Sequence, residues 1–160
     1  MANIKREAGL FIVCVILCEL AGVIGAVFTF GAIPSWYAYL NKPSFAPPNW
    51  VFAPAWNILY VLMAVALFLV WRKGLGEPGM RSALTAFFGQ LALNALWSVI
   101  FFGLHNPMFA FAEILALWVM ILLSTLRFYR INRIAGILMA PYLLWVFFAA
   151  LLNFSVWMLN

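Results

Sequence analysis

Residues 9–33 read GLFIVCVILCELAGVIGAVFTFGAI, with Glu19 the one charged side chain and no proline. A helix rises about 1.5 Å per residue, so about 20 apolar residues cross a bilayer; this run is long enough to span. It follows Lys5-Arg6 and so imitates a secretion signal, but it shows no AxA cleavage site. It also exceeds the roughly 7–15 apolar residues of such a signal. It reads as a retained first helix.

The pattern recurs at about 50–71, 81–104, 107–128 and 134–158. Of the 160 residues, 68% are apolar and 8% charged, with a mean hydropathy of +1.09, whereas a soluble domain carries roughly 25% charged residues. The polar surface is too small to cover a particle in water, and a bilayer is the solvent that suits the chain. Backbone inside hydrocarbon must satisfy its own hydrogen bonds, which forces helices wherever the chain crosses. The expected fold is an all-α integral membrane protein, one domain over 1–160. It is a bundle of five transmembrane helices with a short structured first loop at about 34–49.

Local signals mark the ends of the spans. Asn106-Pro107 reads as N-cap and first helical residue. Pro47-Pro48-Asn49 closes the first loop, and residues 72–79 form a turn. Residues around His105 join the third and fourth spans so briefly that the two should be antiparallel neighbours. Pro54 and Pro141 each remove a backbone donor and predict a kink or break. Cys14 and Cys18, one turn apart, read as packing residues.

The net charge of +5 does not point to nucleic acid, because the basic residues sit in short clusters between apolar runs. With five spans, Lys5, Arg6, Arg72, Lys73, Arg81, Arg127, Arg130 and Arg133 share one side and Lys42 stands alone on the other. The positive-inside rule then predicts a cytoplasmic N-terminus, with the first loop and the C-terminus outside.

That first loop is aromatic and stiffened by proline, and Trp36, Tyr37 and Leu40 fall within one turn. It reads either as an interfacial aromatic belt or as a lid pressed onto the bundle. Polar residues in the spans fall on shared faces: Gln90, Asn94, Trp97, Ser98 and Phe101 in the third; Trp56, Asn57 and Tyr60 in the second; Tyr142, Trp145, Ala149 and Asn153 in the fifth. Such costly groups turn toward a bundle interior or a cavity. Two readings fit: interhelical hydrogen bonding, or a pocket with aromatic walls and a few amides and hydroxyls for a flat amphipathic ligand. Glu19 and Glu113 lie in spans with no basic residue to pair with. Each reads as an interhelical hydrogen bond, with a ligand contact or proton relay as the alternative. The small residues Gly22, Gly25, Ala26 and Thr29 suit either an internal contact or a dimer face. A single histidine gives no metal-ligand cluster, no mid-span lysine could carry a Schiff base, and no nucleophile–base pair stands out.

The run from Trp36 to Tyr60, WYAYLNKPSFAPPNWVFAPAWNILY, resembles the translocator protein family, also called tryptophan-rich sensory proteins or peripheral-type benzodiazepine receptors. So do Gln90-Leu-Ala-Leu-Asn-Ala-Leu-Trp-Ser98 with Phe101-Phe102, and Pro141-Tyr-Leu-Leu-Trp145 with Leu152-Asn153. The resemblance implies a five-helix bundle, often a homodimer, that binds protoporphyrin IX or haem as ligand rather than as obligatory cofactor. It implies synthetic ligands of the isoquinoline-carboxamide and benzodiazepine type and, in some members, cholesterol. Trp56, Asn94 and Trp145 correspond to ligand contacts, Trp36, Tyr37 and Pro43 to the lid, and Ala149 to the pocket wall. In some bacterial members paired tryptophans, here Trp56 and Trp145, would serve light-dependent oxidation of protoporphyrin. Members tied to cholesterol carry a basic extension that this sequence, ending at Asn160, does not show. The loose sterol pattern Leu126-x-x-Tyr129-x-x-x-Arg133 therefore stands alone.

Three functions follow: a tetrapyrrole sensor or transporter using Trp36, Tyr37, Pro43, Trp56, Tyr60, Gln90, Asn94, Trp97, Tyr142, Trp145, Ala149 and Asn153; a porphyrin photo-oxidase; or a structural membrane protein that docks a partner.

Overall fold

The computed structural model describes residues 2–160. Five long helices, each apolar enough to span, make up the chain among the described residues. They are α1 (Ala2–Ala32), α3 (Phe52–Trp71), α4 (Met80–Ser98), α5 (Pro107–Ile131) and α6 (Arg133–Leu159), with a short α2 (Trp36–Tyr39) in the first loop.

Chain order is not spatial order. α1 packs on α3 and α4, α4 on α5, α5 on α6, and α6 back on α3, which closes a ring in which α3 and α4 barely meet. Sequence explains how each helix takes its place. Along α5 the buried residues run from Ala110 through Ile114, Leu117, Ile121, Ser124 and Phe128 to Ile131. Steps of four and three keep them on one stripe, while Leu115, Val119, Leu123 and Leu126 face outward.

Two asparagines make the tight corners. Asn106 caps α5 by accepting from the Phe109 amide at 3.0 Å, with Pro107 in the first turn, as its sequence suggested. Asn132 ends α5 and caps α6, its Oδ1 accepting from Ile134 and Ala135 at 3.0 and 3.2 Å. This one-residue link brings Gly136 against Tyr129: a Cβ on Gly136 would lie 2.7 Å from the Tyr129 Cα.

The prolines behave differently from expectation. Pro141 does not break α6, which continues through it. Pro54 falls in the first turn of α3, where a missing donor costs little, and the loosening appears just before it as a 3-10 turn over Asn49–Val51. The end of α4 holds a feature that periodicity did not predict, a π turn over Val99–Gly103 in which the Leu104 amide reaches the Val99 carbonyl at 2.8 Å. Single π turns inside helices recur at functional sites.

The basic end is laced together. Arg72 pairs with Glu7 at 2.9 Å, Arg127 donates to the Ser82 carbonyl at 3.0 Å, and Lys73 donates to the Ile131 carbonyl. The free thiols of Cys14 and Cys18 are buried in the core.

Candidate functional site

At the opposite end of the ring, under the first loop, α1, α3, α4 and α6 enclose a cavity of about 370 Å³, within the 300–1,000 Å³ typical of small-molecule sites. α2 lies across its mouth. Tyr37 is buried there, edge-on to Phe101 at 6.2 Å and to Phe102 at 5.7 Å. Burial pushes its phenol above the usual value, and the Lys42 ammonium sits 4.6 Å over its ring. Both rings of this seat, the adjacent Phe101 and Phe102, come from the π turn at the end of α4.

The loop thus serves both readings with different residues. Tyr37 plugs the bundle, while Tyr39 and Trp50 are 88% and 74% exposed, as belt residues are. Trp36 packs outside the cavity, stacked on His105 at 4.5 Å. His105 is a loop residue with a left-handed φ of +52°. The loop is clasped to the end of α6: the Asn41 amide donates to Asn160 Oδ1 at 3.0 Å, and Asn160 Nδ2 donates back to the Asn41 carbonyl at 3.1 Å.

The floor is a chain of hydrogen bonds. Tyr60 donates to Asn94 Oδ1 at 2.7 Å, Asn94 Nδ2 donates to the Tyr142 hydroxyl at 3.0 Å, and that hydroxyl donates to Gln90 Oε1 at 2.9 Å. All four residues are buried. On the α6 wall, Trp97 Nε1 donates to Asn153 Oδ1 at 3.0 Å, and Asn153 Nδ2 donates to the Pro107 carbonyl at 2.7 Å. Trp56 stacks on Tyr60 at 5.7 Å and meets Tyr142 edge-on at 6.2 Å. Trp145 Nε1 is buried with no hydrogen-bond partner among the described residues.

Of the residues singled out by sequence, Tyr37, Trp56, Tyr60, Asn94, Trp97, Trp145, Ala149 and Asn153 line the cavity. Gln90 and Tyr142 do not: they stand behind Asn94, where the hydrogen-bond chain needs them. Trp36 and Pro43 do not either; Trp36 borders an outer groove with His105 and Trp157, and the Pro43 carbonyl holds a turn by accepting from Ala46 at 3.0 Å.

The wall formed by α1 takes up residues for which the sequence left two readings open. Glu19, Gly22, Ala26 and Thr29 line the cavity at helical spacing, together with Gly25. The small-residue stripe is therefore an internal contact: a Cβ at Gly22 would lie 2.6 Å from the Tyr60 ring, and one at Gly25 would lie 2.9 Å from Ser98 Oγ. Neither acid pairs with a base; Glu7 with Arg72 is the one ion pair among the described residues. Glu113, expected to bond between helices, has both carboxyl oxygens buried without a partner. No cluster of three metal-ligating side chains occurs among the described residues.

The model of the TspO/MBR family matches residues 14–158. The chain is 42% identical to "Tryptophan-rich protein TspO" of Archaeoglobus fulgidus, covering 93% of this chain and 96% of that protein. It is 40% identical to "Protein CrtK" of Rhodobacter capsulatus, over 94% and 92%. With the human "Translocator protein" it shares 37% identity, over 87% and 83%.

Proposed function

The chain belongs to the TspO/MBR family of multi-pass membrane sensory and translocator proteins, and from that premise we propose that it binds a tetrapyrrole, protoporphyrin IX or haem, as a sensor or transporter. One observation carries the reading: Trp56, Trp97 and Trp145 reach a single cavity from α3, α4 and α6, beneath a loop clasped shut. Indole faces stack on a flat macrocycle, while Asn94 and the neighbouring amides offer fixed polar contacts. The lid sequence around Trp36-Tyr37 and Lys42-Pro43 supports the same ligand class through the family resemblance.

Protoporphyrin IX titrated into the purified protein should quench its tryptophan fluorescence. The double variant Asn94→Ala/Trp145→Ala should bind at least tenfold more weakly; equal affinity in the two proteins overturns the assignment.

Trp56 lends itself to a second reading, light-driven oxidation of bound porphyrin by dioxygen, because its oxidisable indole lies on the cavity wall between the rings of Tyr60 and Tyr142. Undiminished photoconversion after replacing both Trp56 and Trp145 by Phe would end it, since Phe is much harder to oxidise.

A further inference from the structure

Glu19 stands on the cavity wall about 20 Å below the loop, counting helical rise back from Ile33. The cavity contains no other acid, and no Lys, Arg or His lines it. The other polar groups that line the cavity are neutral. On the facing helices Tyr60 gives its proton to Asn94 and the Asn94 amide nitrogen serves Tyr142, while Thr29, on α1 itself, gives its own to the Gly25 carbonyl at 2.8 Å. Glu19 is half-buried, its side chain open to the cavity that it lines. Among the described residues no cation pairs with Glu19, whereas Glu7 at the basic end has Arg72.

We infer that Glu19 is a specificity-determining residue, whose carboxylate receives an ammonium or N–H group at the inner edge of a flat aromatic ligand. The inference rests on the reading above in placing a ligand in this cavity, but not in the ligand being a porphyrin. It also orients an amphipathic guest. Acidic substituents are repelled from the inner end and stay at the mouth, where Lys42 lies over Tyr37. Charge-assisted hydrogen bonds are roughly twice as strong as neutral ones, so the preference should be measurable even in a small probe.

The test uses three probes with one ring system, 9-(aminomethyl)anthracene, 9-anthracenemethanol and 9-anthracenecarboxylate. Binding to protein in neutral detergent is read as anthracene emission sensitised by tryptophan and corrected for partition into empty micelles. Wild type should bind the ammonium most tightly and the carboxylate least. Glu19→Gln should weaken the ammonium about tenfold, strengthen the carboxylate and leave the alcohol within twofold; Glu19→Asp should keep the wild-type order. An ammonium-to-alcohol ratio that is the same in wild type and Glu19→Gln overturns the inference. So does a wild type that shows no preference for the ammonium, an outcome that needs no variant to fold. Protoporphyrin IX added to the same wild-type sample separates the two ideas. Charge preference without porphyrin quenching defeats the tetrapyrrole reading alone; porphyrin quenching without charge preference defeats the role of Glu19 alone.

Discussion

The Tyr60 hydroxyl donates to Asn94 Oδ1 across 2.7 Å, and this bond joins α3 to α4, two helices that otherwise barely meet. It spans the ring at the depth where the cavity ends. The Tyr60 ring is in turn held by Gly22 of α1, which leaves no room for a side chain. Three helices are therefore registered by one phenol, and the cavity floor depends on it.

Tyr60→Phe keeps the ring and removes the donor. Interhelical hydrogen bonds in membrane bundles average ~0.6 kcal/mol, and the buried Asn94 oxygen left behind adds to the loss. The expected destabilisation is about 1 kcal/mol, measured by thermal unfolding in detergent. A double-mutant cycle with Asn94→Leu should show coupling; strictly additive effects would mean that the two side chains do not interact.

Glycine positions separate packing from propensity. Gly136→Ala drives a methyl group into the Tyr129 backbone, and neither helix can give way because Asn132 alone links them. Overpacking of this kind costs about 1–3 kcal/mol. At Gly9, where nothing lies within 4 Å of an added Cβ, alanine should be neutral or stabilising by up to about 1 kcal/mol. Equal melting temperatures for the two variants would contradict the corner geometry.

The Asn41–Asn160 clasp gives the lid a measurable latch. Asn160→Ala removes two of the bonds between loop and helix end and leaves the Asn41 side chain donating to the Leu159 carbonyl at 3.2 Å. Amide exchange across residues 36–48 should accelerate roughly tenfold, an opening cost lower by about 1.4 kcal/mol. Hydrogen-exchange mass spectrometry reads this directly, and unchanged protection of the loop would show that Tyr37 burial alone holds it.

The distribution of basic residues predicts the orientation. In a Cys14→Ala/Cys18→Ala background expressed in a bacterial inner membrane, a cysteine at Ser44 should react with an impermeant maleimide in intact cells. One at Ser82 should react after lysis alone. The reverse pattern would place the basic end outside, against the positive-inside rule.

The number of long apolar helices was legible in the chain itself, because a bilayer demands about 20 apolar residues per crossing, and so was the start of α5, because Asn106-Pro107 carries its own cap chemistry, whereas α1 begins at Ala2, ahead of its apolar run. The clustering of aromatic and amide residues on helix faces was legible too, since a period of 3.6 residues puts Asn94 with Trp97 and Trp145 with Ala149. Neighbours were not. In lipid the outward face of a helix is as apolar as the inward one, so hydrophobicity stops telling inside from outside, and the sequence left open whether Glu19 meets a neighbouring helix or a ligand space. Tertiary structure decided the ring order, drew Gln90 and Tyr142 behind Asn94, and set both Phe101 and Phe102 against Tyr37. Each of these depends on the distance between helices, a quantity that no single helix encodes.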